Sequence, residues 1–195
     1  MNQKNMKYIH TFWVMLLVMA VATSCKTEMI ERIDEFSLEQ GGYMRTVTPF
    51  PVAASTFSVS KANMGGTRMQ LVAEAVTPDM GALFASYDLS IRFVGVGANA
   101  SKTTTYAPLR SIPASAYAKD PTTGYPRATI TVTGAEALTA TKLTAADVAA
   151  GDRFEITAVM KLTNGKQFTA ANTGANITGG AFYSSPFFYR LNIVQ

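Results

Sequence analysis

Glycoside hydrolysis needs two carboxylates flanking one bond, and the acids available to a folded body here are Glu74, Asp79, Asp88, Glu136, Asp147, Asp152 and Glu155. Asp152 and Glu155 stand three apart in a strand-like run, so they point to opposite faces and cannot flank one bond. Glu136 and Asp147 each follow a threonine, Thr133 and Thr144, at the spacing of a helix-capping carboxylate. The other acids read as solvated charges. A serine nucleophile needs a base, usually histidine, and His10 is the single histidine. Asp120 lacks the dense acidic loop that calcium requires. The stretch from Gly174 to Gly180 is glycine-rich but lacks the lysine and following helix of a phosphate loop. These residues predict no catalytic set, no metal and no cofactor.

Cys25 is the only cysteine, and its position carries more information than any acid. Lys4 and Lys7 form a positive start, Phe12 to Val21 an apolar run, and Ala22-Thr23-Ser24 a small-residue cleavage site. The apolar run is about ten residues, half of what a bilayer-spanning helix needs. A cysteine placed first after cleavage is similar to the lipobox of bacterial lipoproteins, with Ala22 where leucine is commonest. That resemblance implies a thiol acylated at Cys25 and a chain held to a membrane by lipid. The expected organisation is a signal peptide over 1–24, a lipidated tether over 25–35 and a β-sandwich domain over 36–195. Losing Lys4 and Lys7 lowers the net charge of +4 to +2, and the remaining charges are scattered as singlets along the sequence. Without a basic stripe, nucleic acid is not an expected partner. Disulfides are excluded once Cys25 is acylated.

Past the tether, apolar residues recur with a period of two. Leu89, Ile91 and Phe93 alternate with Asp88, Ser90 and Arg92; Phe154, Ile156, Ala158, Met160 and Leu162 alternate with Arg153, Glu155, Thr157 and Lys161. Ile130 with Val132, Met69 with Leu71, Phe57 with Val59, and Phe187, Tyr189, Leu191 and Ile193 repeat the pattern. Residues 36–48 form a weaker run, broken by Gly41-Gly42. Each run is a strand with one buried and one wetter face. Asn164-Gly165 predicts a two-residue type I′ hairpin. The two threonine–carboxylate spacings predict short helices over 134–141 and 145–149. Seven or eight short strands with few helices predict an all-β, immunoglobulin-like antiparallel β-sandwich. Its expected core is Leu89, Ile91, Phe93, Ile130, Val132, Phe154, Ile156, Met160, Leu191 and Ile193.

Several local sequences carry a resemblance across much of the chain. They are Tyr87-Asp88-Leu89-Ser90-Ile91-Arg92-Phe93, Ser111-Ile112-Pro113-Ala114-Ser115, Gly151-Asp152-Arg153-Phe154, Leu162-Thr163-Asn164-Gly165-Lys166-Gln167-Phe168 and Ser185-Pro186-Phe187. Together they resemble small outer-membrane lipoproteins of Bacteroidota that accompany Sus-type uptake systems. The resemblance implies a non-catalytic surface protein partnered by an outer-membrane transporter and a substrate-binding lipoprotein. It marks no site residue. The alternative is a structural or adhesive sandwich contacting other surface proteins. The sole tryptophan, Trp13, lies in the signal, which leaves Tyr43, Tyr106, Tyr117, Tyr125 and Tyr183 as loop-borne rings, and binding is expected to fall to Tyr106, Tyr117, Tyr125 and Tyr183. Metabolic labelling with a fatty-acid analogue tests the anchor: the full chain labels, Cys25→Ala does not, and equal labelling of both rejects acylation at Cys25.

Overall fold

The computed structural model describes residues 41–174, 177–178 and 186–195. The signal, the tether with Cys25, residues 36–40 and Tyr183 lie outside the described residues. The strands are β1 (Tyr43–Thr48), β2 (Phe57–Ser60), β3 (Arg68–Val76), β4 (Phe84–Val94), β5 (Ala107–Pro113), β6 (Ala118–Lys119), β7 (Pro126–Thr133), β8 (Arg153–Leu162), β9 (Gln167–Phe168) and β10 (Phe188–Val194). Helix α1 (Gly134–Thr141) follows β7. One sheet has the order β1-β3-β7-β6; the other has β2-β10-β8-β4-β5, with β9 on β8. All pairs are antiparallel except β2 with β10. The first order is the ABED sheet of immunoglobulin folds, and the second contains their CFG sheet, with β5 added beside strand C. The fold is the expected all-β sandwich.

The inward phase is also as expected. All ten of the predicted core residues are at most 2% exposed and belong to one apolar cluster drawn from both sheets. Phe93 and Phe154 face each other across the β4–β8 pair with ring centroids 5.7 Å apart. Phe187 and Tyr189 are buried too, whereas Phe188 lies on the outer side of β10.

No disulfide joins the described sheets; a buried hydroxyl chain does part of that work. Thr46 Oγ1 on β1 lies 3.0 Å from the Tyr189 hydroxyl on β10, which lies 3.1 Å from the Tyr87 hydroxyl on β4. Tyr87 donates to the Pro186 carbonyl, and the Tyr189 hydroxyl lies 3.1 Å from the same oxygen. Burial raises both phenol pKa values, so the two hydroxyls stay protonated donors. Each polar atom that enters the core through these side chains thereby finds a partner.

Helix α1 spans the predicted residues. The Thr133 hydroxyl accepts from the Glu136 amide at 3.1 Å, and Lys142 ends the helix in the left-handed region at φ 58°. The second predicted helix shrinks to one 3₁₀ turn, Ala145–Asp147. Its cap forms, with the Asp147 carboxylate accepting from the Thr144 amide at 2.9 Å and hydroxyl at 2.6 Å. The turn buries no residue, so nothing extends it beyond the cap.

The Asn164-Gly165 hairpin exists, but its turn is not type I′. Only Gly165 takes a positive φ, 84°, and its amide donates to the Leu162 carbonyl at 3.0 Å. The Leu162 amide closes a three-residue loop on Lys166 at 2.9 Å. This is a type I turn followed by a left-handed glycine, the other common hairpin solution. The Asn164 side chain accepts from the Lys166 amide at 3.1 Å, which holds the turn without a left-handed Asn.

Strand β5 was not legible as a strand. It buries only Ile112 and contains Pro108 and Pro113, the composition of a sheet edge. Phe154→Ala should lower unfolding free energy by about 3–5 kcal/mol, because a large ring leaves a closed core. Urea unfolding measures this, and a loss below about 1 kcal/mol would contradict the packing.

Candidate functional site

One end of the sandwich holds a cleft of about 490 Å³. Tyr43 at the start of β1, Val76 and Thr77 at the end of β3, Tyr125 before β7, Phe168 on β9 and the segment 172–174 form its walls. Its lining is mainly apolar, and among the described residues it contains no Asp, Glu, Lys, Arg, His or Cys. Such a wall can hold a ligand by shape and by a few amide and hydroxyl groups. It offers no side chain that exchanges a proton near neutral pH.

A strained turn borders the cleft. Asp79 and Met80 both take left-handed conformations, at φ 55° and 54°, followed by Gly81 at φ 86°. The glycine is required there twice over: a Cβ would strain that φ and meet the Pro126 ring at 2.3 Å. Two non-glycine residues held left-handed cost stability and persist only where surroundings fix them. Met80 is 54% exposed at the tip of this turn.

The predicted tyrosines do not gather. Tyr125 lines the cleft. Tyr106 stands exposed before β5, its ring 4.8 Å from the Arg92 guanidinium carbon. Tyr117 is buried edge-to-face against Phe84 at 4.7 Å, with its hydroxyl lacking a partner among the described residues, so its ring serves the core rather than a loop surface. Burial pushes the Tyr117 phenol strongly upward in pKa. Tyr43, another of the loop-borne tyrosines the sequence offers, joins Tyr125 in the cleft, as do Thr77 and Phe168, which neither charge nor motif marks.

The buried acids are all occupied structurally. Glu74 on β3 receives Arg45 at 2.5 Å, Arg127 at 2.6 Å and the Thr123 hydroxyl at 2.9 Å, and Arg127 also reaches Asp120 at 2.7 Å. Hydrogen bonds from the Thr123 and Thr122 amides lower the Asp120 pKa. Asp152 accepts from the Val96 amide, the Ala149 amide and Asn99, each at 2.7 Å. Glu155 is held by Arg92 at 2.6 Å and Arg153 at 2.9 Å. For Asp152 and Glu155, burial raises the pKa, but these donors outweigh it and the net shift is downward. Asp152 and Glu155 thus serve different partners. Among the described residues, no group of three or more His, Cys, Asp or Glu is placed to hold a metal ion. Nor is any described helix long and apolar enough to cross a membrane.

No family model matches the chain, and no curated protein sequence matches it. Among solved structures, it overlaps AggA, the major subunit of aggregative adherence fimbriae type I from Escherichia coli, at 11% identity and a TM-score of 0.26. That overlap covers 79% of this chain and 95% of AggA. At this score the likeness carries no weight for fold or function; strand order and register define the fold.

The lowered Asp152 pKa sets an acid limit on stability. An unfolded aspartate titrates near about 3.9. The folded group titrates lower, so its contribution is present above that value and is lost as pH falls through the folded pKa. Asp152→Asn should cost about 1–3 kcal/mol at neutral pH. The gap between variant and wild type should narrow below about pH 4. Urea titrations across pH measure both, and a constant gap would contradict the charge-assisted role.

Proposed function

We propose that this chain is a non-catalytic, lipid-anchored surface protein that assists ligand binding or assembly in an outer-membrane uptake system. The cleft at the end of the sandwich carries the reading. It is large enough for a small ligand or a partner's side chain, and its described lining lacks acid, base, nucleophile and cation. Glu74, Asp120, Asp152 and Glu155 are held in ion pairs or by backbone amides, which suits support of loops more than turnover. The anchor at Cys25 and the resemblance to Sus-associated lipoproteins supply the location and partner class. An adhesive or fimbria-like role is the second reading.

Recovery of partners from detergent-solubilised native membranes tests the proposal. The full chain should bring down a TonB-dependent transporter and its substrate-binding lipoprotein. Tyr125→Ala, which removes one cleft wall, should lower that recovery about tenfold, the equivalent of about 1.4 kcal/mol. Recovery of fimbrial or adhesin subunits in their place would reject the uptake role in favour of the adhesive one. Turnover of a glycan or peptide by the purified protein would reject the non-catalytic assignment.

A further inference from the structure

Asn164 is the only asparagine in the sequence followed by glycine. Asn63, Asn99, Asn172 and Asn192 precede Met64, Ala100, Thr173 and Ile193, whose side chains crowd any ring closure between the two residues. The Asn164-Gly165 pair sits exposed at the tip of the β8–β9 hairpin, with open space where a Gly165 side chain would stand. Asn164 Oδ1 accepts from the Lys166 amide, two residues on, at 3.1 Å. To reach that amide the side chain curls back over the Gly165 peptide, which brings its Cγ toward the Gly165 nitrogen. The same hydrogen bond polarises the Cγ–Oδ1 bond and faces the oxygen on which negative charge develops when a nucleophile adds to Cγ. One bond opposes that addition: the Gly165 amide donates to the Leu162 carbonyl at 3.0 Å. It lies at an exposed hairpin tip, where local opening costs far less than unfolding the sandwich.

We propose that Asn164 deamidates spontaneously in the folded protein, and that its isoaspartate product loosens β9 and the cleft wall that β9 carries. The Gly165 nitrogen loses its proton to hydroxide and bonds to Asn164 Cγ. The bond from Cγ to the side-chain nitrogen breaks, and ammonia leaves. Water then opens the five-membered imide. Opening at the Cγ–N bond gives aspartate. Opening at the main-chain carbonyl gives isoaspartate, whose main chain runs through Cβ and Cγ and is longer by one carbon. That extra carbon falls inside the three-residue loop that the Leu162 amide closes on the Lys166 carbonyl at 2.9 Å. Strand β9 has only two residues to hold its register, Met160↔Phe168 and Lys161↔Gln167 on β8. Phe168 is also a wall of the cleft, so a loosened tip reaches the cleft through one side chain.

The full chain, aged in mildly alkaline buffer and then digested, is read by mass spectrometry and by isoaspartate methyltransferase labelling. Asn164 should convert about tenfold faster than Asn63, Asn99, Asn172 or Asn192, a barrier difference of about 1.4 kcal/mol. The rate should rise with pH, as a deprotonated amide nucleophile requires. Asn164→Gln, which would have to close a six-membered ring, should stay unlabelled at that position. Conversion in urea but not in the folded chain would overturn the proposal, because the turn would then shield the asparagine. Hydrogen exchange tests the consequence: the Leu162 amide should exchange about tenfold faster in the aged protein. Asn164→Asp adds the charge without the extra carbon and should exchange as the fresh chain does. Unchanged exchange after conversion, or equal acceleration in Asn164→Asp, would reject the lengthened main chain as the cause of a loosened β9.

Discussion

The β4–β8 pairing is the constraint on which the rest of the structure depends. It runs antiparallel from Phe84↔Leu162 to Val94↔Arg153 through the middle of the six-stranded sheet. Because side chains alternate faces, a slip of one residue would send Tyr87, Leu89, Ile91 and Phe93 to solvent and Arg92 into the core. The same register sets Arg92 against Glu155 and brings Lys161 within 2.7 Å of Asp88 on the outer face. Core and outer surface are therefore fixed by one choice. Strand β10 adds to it by setting Leu191 against Phe154 inside and Arg190 against Glu155 outside.

Burial forces a second condition: polar groups carried inward must meet partners there. The Tyr87–Tyr189–Thr46 chain meets it in the core, using two phenols and a hydroxyl from three strands and two sheets. On the outside of the other sheet, Glu74 is covered by Arg45 from β1 and Arg127 from β7, its register partners on either side. Buried ion pairs of this kind add little net stability, since desolvation opposes attraction, yet removing one partner is costly. They favour one strand order over others. Two exceptions among the described residues are the Tyr117 hydroxyl and the Nε of Arg190, whose register partner is already satisfied by two other arginines.

Most of the fold was legible because alternation is a local property. Ile91 and Phe154 announce their faces from their neighbours alone, and Thr133 with Glu136 announces a helix start. Strand β5 was not legible, since an edge strand with one buried side chain and two prolines leaves no periodic trace. The I′ turn expected at Asn164-Gly165 was wrong because the loop closes on Lys166, one residue later, which the dipeptide does not encode. Of the candidate tyrosines, Tyr125 reaches a cleft and Tyr106 a charged face, while Tyr117 went to the core. A tyrosine in a loop-like sequence has both a ring to bury and a hydroxyl to expose, so its environment is decided by tertiary packing.

Residues far apart in sequence meet on the outer face of the six-stranded sheet. Arg92, Arg153 and Arg190 are singlets in sequence, each separated from the next by at least 37 residues. Two strand pairings bring all three beside Glu155. Other described acids pair elsewhere: Glu74 with Arg45 and Arg127, Asp88 with Lys161, Asp147 with Lys102 and Glu136 with Arg110. Charges that are singlets in sequence are thus gathered into ion pairs on one face of the sheet. Register, not composition, determines where that charge appears.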